Sequence, residues 1–279
     1  AQDYLTVEQA EEYQKYENTI NEKRNIGCIH IKGFAGTGKT FLGLHFICKM
    51  LIENPNANIL FACTQNGFAY FFARWILIRM LSRKVKRGDD ETKGEENDNN
   101  NDAVQHDPDS ILNRIHFCTR KTNGKPHKAI LQLNEQGNAY LKFVEIDKEE
   151  TVQNYDLVVI DEAHHIVRKN DKVWKKILRH FEDAKQRVIL SDDNQGPSAI
   201  QEINNAIKYA LESDEEVFSI ELRDVVRSTQ AITLLSHLFR KNVDRPSCSE
   251  KFGSRIEPFL ISNSDKANDL YKQFALKTV

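Results

Sequence analysis

The residues most able to do chemistry in this chain form one glycine-rich stretch, Gly33-Phe34-Ala35-Gly36-Thr37-Gly38-Lys39-Thr40. The stretch matches G-x-x-x-x-G-K-[ST], whose glycines let backbone N–H groups wrap around a polyphosphate without Cβ clashes. We expect Lys39 to reach the β- and γ-phosphates of a nucleotide, and the Thr40 hydroxyl to hold Mg²⁺. The alternative is a glycine-rich turn that binds nothing.

The segments on either side have the form that a phosphate-binding loop needs. Residues 25–31 predict a short buried strand, and residues 41–52 are apolar at helical spacing and end before Pro55. A strand, a glycine loop and a helix in this order point backbone N–H groups and a helix N-terminus at an anion. We therefore predict that residues 33–40 form a P-loop.

Two candidate catalytic acids, Asp161 and Glu162, follow the most apolar predicted strand, residues 156–160. Asp161 is expected to hold the Mg²⁺ that bridges two phosphates. Glu162 is expected to orient and deprotonate the attacking water. The alternative is a pair of acids that caps the next element, and the P-loop earlier in the chain favours the catalytic interpretation.

Strand and helix patterns alternate through most of the chain. Predicted strands cover residues 25–31, 58–63, 111–118, 129–133, 138–145, 156–160, 187–190 and 217–222. Predicted helices cover residues 1–24, 41–52, 68–85, 172–184, 198–211 and 228–240. The alternation predicts an α/β fold, with a parallel sheet, helices on both faces and one hairpin at 129–145.

Ligands of such sheets bind beyond the carboxyl ends of the strands. Five predicted features follow strands in this way: the P-loop, Thr64, Thr119, Asp161 and Gln195. The Gln195 amide could hydrogen-bond both the attacking water and the γ-phosphate. Arg227 lies beyond the last predicted strand and could stabilise charge on the γ-phosphate in the transition state, or could form a surface ion pair.

The composition is that of an ordinary globular protein, since 40% of the 279 residues are hydrophobic and 29% are charged. No apolar run reaches the length of a membrane span, and the polar N-terminus is not typical of a signal peptide. The five cysteines are scattered, which argues against a disulfide framework or a zinc site. Reduced thiols predict an intracellular protein, with nucleus and cytoplasm both open.

Charge is spread unevenly along the chain. The net charge is −2, so nucleic-acid binding would need a local basic surface. The basic residues available for it are Arg120, Lys121, Lys125, Lys128, Arg168, Lys169, Lys172, Lys175 and Lys176. Residues 88–110 are acidic and polar and predict a disordered insert, and residues 242–279 predict a linker or the start of a second lobe.

Taken together, these motifs resemble the ATPase core of superfamily 1 helicases of the UvrD/Rep type, and the related P-loop domains of Schlafen-like proteins. The matching segments, within residues 5–230, are Leu5-Thr6-x-x-Gln9, Gly33–Thr40, the Thr64 loop, Asp161-Glu162-Ala163-His164, Asp192-x-x-Gln195 and Leu222-x-x-x-x-Arg227-Ser228. The resemblance implies a RecA-like lobe at 25–241, ATP and Mg²⁺ as cofactors, and single-stranded nucleic acid as a partner.

The resemblance also implies roles for individual residues. By local rules Gln9 completes a capping box with Thr6 in the N-terminal helix, residues 1–24, and the resemblance makes it an adenine-reading glutamine. Gln195 becomes a coupling residue between nucleotide and nucleic acid, and Arg227 a γ-phosphate contact. Thr64 and Thr119 are placed near a single-stranded backbone.

The chain departs from the family pattern in three respects. Ser191 stands where the family usually has glycine, the insert at 88–110 is not part of the pattern, and no motifs of a second RecA-like lobe follow Arg227. We expect such a lobe in a longer parent protein. Two functions remain open: a Mg-dependent ATPase coupled to single-stranded nucleic acid, and a nucleotide-dependent conformational switch in a larger regulatory protein, without unwinding.

Overall fold

The computed structural model describes residues 5–88, 108–134, 136, 139–146, 154–167, 171–192 and 197–226. The chain divides into two compact units, residues 1–225 and residues 226–279. All the helices and strands described below belong to the first unit. The predicted helix at 228–240 and the predicted linker at 242–279 lie outside the described residues.

The first unit contains seven described helices and eight described strands, which alternate except for the run of strands from β3 to β6 and two pairs of consecutive helices. The helices are α1 Val7–Asn21, α2 Lys39–Glu53, α3 Asn66–Gly88, α4 Pro108–Leu112, α5 Ala163–Ile166, α6 Lys172–Glu182 and α7 Pro197–Ala210. The strands are β1 Ile26–Gly33, β2 Ile59–Ala62, β3 Ile115–Cys118, β4 His127–Leu133, β5 Ala139–Glu145, β6 Leu157–Ile160, β7 Gln186–Ser191 and β8 Glu216–Leu222.

The eight strands form one sheet in the order β5-β4-β3-β2-β6-β7-β1-β8. Six of them, from β3 to β8 in that order, pair in parallel, and β4 and β5 add an antiparallel hairpin at one edge. Strand β7 lies between β1, which leads into the P-loop, and β6, which leads into Asp161. This order brings the two motifs to the same edge of the sheet and confirms the predicted α/β fold.

Two separate apolar cores lie on the two faces of the sheet. Helices α1 to α4 pack on one face, where Leu42 of α2, Phe61 of β2 and Phe72 of α3 are fully buried. Helices α5 to α7 pack on the other face, where Tyr155 and Phe181 are fully buried. The central strand β6 is buried along its whole length, as its unbroken apolar run predicts.

Two predicted elements are different in the structure. The predicted strand at 111–118 is wrong in its first part, because Pro108–Leu112 is a short helix and the strand begins at Ile115. Proline is favoured in the first turn of a helix, where its missing N–H costs nothing. The single turn α5, directly after Glu162, was not predicted. The predicted disordered insert, residues 88–110, is wrong at its two ends, because Gly88 ends α3 and residues 108–110 begin α4. The rest of it, residues 89–107, lies outside the described residues.

Two broader predictions can be compared with the described part of the chain. No helix there is both long enough and apolar enough to cross a membrane. Cys28, Cys48, Cys63 and Cys118 are buried free thiols. Burial raises the pKa of Cys28, Cys63 and Cys118, which lie in a strand or directly after one. These cysteines therefore act as small apolar core residues.

Candidate nucleotide-binding site

The loop between β1 and α2 has backbone angles that only glycine adopts freely. Gly36 and Gly38 have φ values of 90° and 84°, and Gly38 directly precedes the first residue of α2. At the start of the loop, a Cβ on Gly33 would lie 2.6 Å from the carbonyl oxygen of Leu222. The loop can adopt this conformation because each of the three glycines removes a specific steric conflict.

The Lys39 ammonium lies within this loop. The side chain is buried, and its Nζ donates to the carbonyl oxygens of Gly33, at 2.8 Å, and Phe34, at 3.0 Å. Carbonyl oxygens here occupy the role that phosphate oxygens have in a loaded P-loop. The lysine is therefore held in the loop by carbonyl oxygens of the chain itself.

Thr40 and Asp161 meet across the edge of the sheet, although 121 positions separate them in the chain. The Thr40 hydroxyl lies 3.1 Å and 3.2 Å from the two carboxylate oxygens of Asp161. Burial, and then the neighbouring Glu162 carboxylate, raise the pKa of Asp161 to about 7. Asp161 is therefore a fully buried carboxylate that lies beside a hydroxyl and has little positive charge to balance it.

The donor set formed by Thr40 and Asp161 fits Mg²⁺. This cation prefers hard oxygen ligands, and proteins bind it through one or two carboxylates together with substrate phosphates. A hydroxyl and a carboxylate about 3 Å apart at the mouth of an amide-lined loop provide such ligands. The residues present are therefore consistent with a Mg²⁺ held between the protein and a bound triphosphate.

Glu162 has an unusual backbone conformation. Its φ and ψ are 51° and 46°, the left-handed region that a residue with a long side chain rarely occupies. Holding such a conformation costs on the order of 1–3 kcal/mol, and strain of this kind concentrates at functional sites. The side chain is 37% exposed, so its carboxylate can reach water beside the buried Asp161.

His164, the last residue of the Asp161-Glu162-Ala163-His164 motif, has contacts that the motif did not predict. Its Nδ1 accepts a hydrogen bond from the backbone N–H of Asp192 at 3.2 Å. Its Nε2 lies 3.1 Å from a carboxylate oxygen of Glu162, without a well-directed hydrogen bond. The imidazole thus connects the end of β7 to the candidate general base. Its spacing, two residues after Glu162, was the signal available.

Glu162, His164 and His165 also have ligand atoms within 4.8 Å of one another, a separation that could suggest a metal site. The hydrogen bond from Asp192 decides against His164 as a ligand. Because Nδ1 accepts that bond, the proton of the neutral ring is on Nε2, the atom that faces Glu162. Burial lowers the pKa of His164, which favours this neutral form.

Gln9 is a capping residue in the structure, as local rules predict, and it also touches the P-loop. Thr6 and Gln9 form the complete capping box of α1. The Gln9 amide nitrogen donates to the carbonyl oxygens of Thr37, at 3.0 Å, and Gly38, at 3.3 Å. The whole side chain is buried, so the amide is held by the chain itself at the P-loop.

The remaining predicted site residues lie in different settings. Thr64 follows β2 and is half-buried. Thr119 follows β3 and is buried, with its hydroxyl bonded to the side chain of Asn66. Gln195 and Arg227 lie outside the described residues. Ser191, which replaces the usual glycine of the resembled family, is buried and lies 2.9 Å from Nε2 of His30.

One family model matches residues 4–191 of this chain, and its description is "Type III restriction enzyme, res subunit". The chain belongs to this family. Its members share a helicase-type P-loop core, so the expected resemblance holds at the level of the helicase superfamilies, without a distinction between superfamily 1 and superfamily 2. The family match covers α1, the P-loop, Asp161, Glu162 and the whole of β7.

Other comparisons add less. A crystal structure of the helicase domain of Hef from Pyrococcus furiosus is 15% identical, with a TM-score of 0.37. The match covers 77% of this chain and 40% of that structure, so this chain spans less than half of its length. A comparison with curated proteins found no significant match.

Proposed function

We propose that this protein is a helicase-type P-loop ATPase that hydrolyses ATP with Mg²⁺ and couples hydrolysis to single-stranded nucleic acid. The observation that carries the proposal is the contact between Thr40 and Asp161, at 3.1 Å, with Glu162 next in the chain. Residues of two distant motifs meet there in the relation that nucleoside triphosphate hydrolysis requires. The family assignment supports the same reaction class.

In this proposal Lys39 exchanges its two carbonyl partners for oxygens of the β- and γ-phosphates. The backbone N–H groups of residues 34–38 bind the phosphates, and Thr40 and Asp161 hold the cation. When bound, Mg²⁺ neutralises charge on the phosphates and fixes their geometry. Because the loop and the sheet edge hold these groups in place before the nucleotide arrives, little reorganisation is needed at the moment of reaction.

Glu162 acts as the general base in this proposal, and His164 positions it. The carboxylate of Glu162 takes a proton from the attacking water, and its partial exposure gives water access. His164 holds this carboxylate beside the end of β7 through its contacts with Glu162 and Asp192. Gln195, three residues after Asp192, and Arg227 are proposed to contact the water and the γ-phosphate, and Gln9 to lie beside the adenine.

A basic surface beside the site supports nucleic acid as the partner. We use this name for Arg120, Lys121, Lys125, Lys172, Lys175 and Lys176, which come from the β3–β4 loop and the first turns of α6. The Lys176 ammonium donates to the carbonyl oxygen of Asn123 at 3.0 Å, and Arg120 forms an ion pair with Asp171. Two basic runs some 50 positions apart thus form one surface.

Gly124 makes this joining possible. Its φ is 69°, and a Cβ there would lie 3.0 Å from the carbonyl oxygen of Val173 in α6. Lys121, Lys172 and Lys175 are exposed on the resulting surface. These lysines are exposed and spaced apart, near the carboxyl ends of β3 and β6. Such an arrangement suits the regularly spaced phosphate groups of a single strand. Thr64 and Thr119 are proposed to lie along the same path.

The experiment that tests the ATPase is the Glu162→Gln variant. ATP binding should remain, because the phosphate and cation contacts do not involve this side chain, and turnover should fall by about 100-fold or more. Binding is measured with a fluorescent ATP analogue and turnover by phosphate release. Normal turnover in this variant would remove Glu162 as the base, and absence of ATP binding to the wild type would end the proposal.

Nucleic-acid coupling has its own test. Single-stranded oligonucleotides should raise the ATPase rate at low salt, and the Lys121, Lys172 and Lys175→Ala triple variant should lose most of this rise. Each lost phosphate contact should reduce the salt dependence of oligonucleotide binding by about 0.7 in log–log slope. The matched control is the exposed pair Lys142 and Lys208→Ala. Nucleotide-dependent assembly without any strand stimulation would favour a conformational switch instead.

A further inference from the structure

The carboxylate of Glu8 holds the backbone at the end of the first unit. One of its oxygens accepts the N–H of Arg223 at 2.8 Å, and the other accepts the N–H of Asp224 at 3.0 Å. The two contacts link residues 215 and 216 positions apart. They use both oxygens of one side chain on two successive amides, a geometry that fixes both the position and the direction of the backbone.

The same turn of α1 also holds the P-loop. Gln9, next to Glu8, donates to the carbonyl oxygens of Thr37 and Gly38. One helical turn therefore contacts the nucleotide loop through one side chain and the segment after β8 through the adjacent one. Thr6 caps this turn and completes a capping box with Gln9, so the first turn of the helix is fixed by its own hydrogen bonds.

The P-loop and the segment after β8 also contact each other directly. Gly33, the first residue of the P-loop, is paired with Leu222, the last residue of β8. A Cβ at Gly33 would lie 2.6 Å from the Leu222 carbonyl oxygen, so no side chain could separate the two backbones. The P-loop, the first turn of α1 and residues 222–224 thus form a closed ring of contacts.

The contacts of Glu8 also fix the backbone that lies beside the P-loop. Val225, which follows the two held residues, is buried. Any movement of residues 223 and 224 would also move Leu222, whose backbone lies against Gly33 at the start of the P-loop.

We propose that Glu8 is a positioning residue for ATP turnover, which fixes the backbone of Arg223 and Asp224 to the turn of α1 that holds the P-loop. The proposal rests on the proposed ATPase function. Glu8 touches neither phosphate nor cation. It acts on the reaction through Leu222 and Gly33 at the start of the P-loop. Because Lys39 and the backbone N–H groups that would bind phosphate are unchanged, the rate of turnover should be affected more than the binding of ATP.

The test is the Glu8→Gln variant of the full-length protein, with two measurements. An amide side chain can accept only one of the two N–H groups, and its own NH₂ group then faces the other. Loss of one charge-assisted hydrogen bond should lower kcat by about 10-fold, while KM for ATP changes by less than about twofold. Hydrogen exchange at the amides of residues 222–226 should accelerate by about 10-fold.

Glu11→Gln is the matched control, because Glu11 is exposed one turn further along the same helix and its removal changes the charge equally. It should leave kcat and exchange at 222–226 unchanged. An active wild type whose Glu8→Gln variant keeps its kcat overturns the role of Glu8, even if exchange accelerates. A wild type that hydrolyses no ATP overturns the proposed function instead. Equal Tm values for the two variants exclude a general loss of folding.

Discussion

Strand β6 has an aspartate at each end, and the two carboxylates have opposite environments. Asp156, before the strand, accepts the Asn58 N–H at 2.8 Å and the Lys185 ammonium at 2.8 Å. Burial alone would raise the pKa of Asp156, but these two hydrogen bonds outweigh it and lower the pKa. At Asp161, after the strand, burial and then the Glu162 carboxylate outweigh the hydrogen bonds from the Thr40 hydroxyl and the Glu162 backbone N–H, and the pKa rises to about 7.

The difference shows how one four-residue strand serves two purposes. At the amino end of the sheet the chain supplies the partners of the partly buried Asp156 carboxylate, and this charge stabilises the fold. At the carboxyl end the chain leaves a buried carboxylate undercompensated, and a bound cation would supply what is missing. Strongly perturbed carboxylates of the second kind are typical of functional sites.

Neighbouring residues follow the same division. At the amino end Arg187 is buried, and its guanidinium donates to the carbonyl oxygens of Phe181, Glu182 and Gly27 and to the Glu215 carboxylate. At the carboxyl end Glu162 is held in a left-handed backbone conformation. Left-handed backbone also occurs at Lys23, before β1, so the difference between the two ends lies in how their charges are paired.

The largest expected effect is a loss of ATP turnover at the carboxyl end of β6 without a loss of protein stability. Asp161→Asn removes the carboxylate that is proposed to hold Mg²⁺, so ATP turnover should fall by about 100-fold or more. The Asn oxygen can still accept the Thr40 hydroxyl, and the urea midpoint at pH 8 should not decrease. Phosphate release and urea denaturation measure the two quantities. A variant that unfolds while its remaining folded fraction hydrolyses ATP normally would reverse the assignment of this end.

The second effect breaks the amino end. Arg187→Met leaves the Glu215 carboxylate, which is 13% exposed, without its ion-pair partner. Removing one member of a largely buried ion pair costs about 3 kcal/mol in the free energy of unfolding. The Arg187→Met, Glu215→Gln double variant should recover part of this loss, because it leaves no isolated charge. ATP affinity, measured on folded protein, should be unchanged. A loss of ATP affinity with normal stability would contradict the division.

A pH titration sharpens the contrast between the two aspartates. Because the folded pKa of Asp161 is raised above its unfolded value of 3.8, the folded protein binds the extra proton, and this carboxyl lowers stability most above pH 7. As pH falls from 8 to 5, metal-free wild type should therefore gain stability relative to Asp161→Asn, by roughly 2–4 kcal/mol. Mg·ATP should abolish the gain. Parallel pH curves for the two proteins would show that Asp161 is ionised normally.

Much of this division could be predicted from the sequence where signals were local. The P-loop pattern, the apolar run before Asp161 and the capping box of Thr6 and Gln9 each depend on residues close in the chain, and the structure has the corresponding loop, strand and cap. The predicted strand at 111–118 starts too early, because Ile111 and Leu112 continue the apolar pattern of Ile115. Periodicity alone could not separate a one-turn helix from a strand.

Contacts between distant segments could not be predicted. The carboxylate of Glu8 caps the backbone 215 positions away, and the imidazole of His30 meets Ser191 across two paired strands. Neither contact has a local signature, because each depends on the strand order, which places β1 between β7 and β8. The roles of Gln195 and Arg227 stay predictions, since both residues lie outside the described part of the chain.

The smallest effect tests whether Asp156 is purely structural. Asp156→Asn removes the negative charge that the Asn58 amide and the Lys185 ammonium share, and should cost about 1–2 kcal/mol in the free energy of unfolding. Lys185→Gln is the matched control. Lys185 is 75% exposed, so its ion pair contributes less than about 1 kcal/mol, and the aspartate variant should be the less stable of the two. ATP turnover should stay within about twofold of wild type in both variants, since electrostatic effects on the site must cross the full length of β6. If Asp156→Asn lowers turnover more than it lowers stability, then the two ends of the strand are coupled, and the separation of stability from chemistry along β6 is wrong.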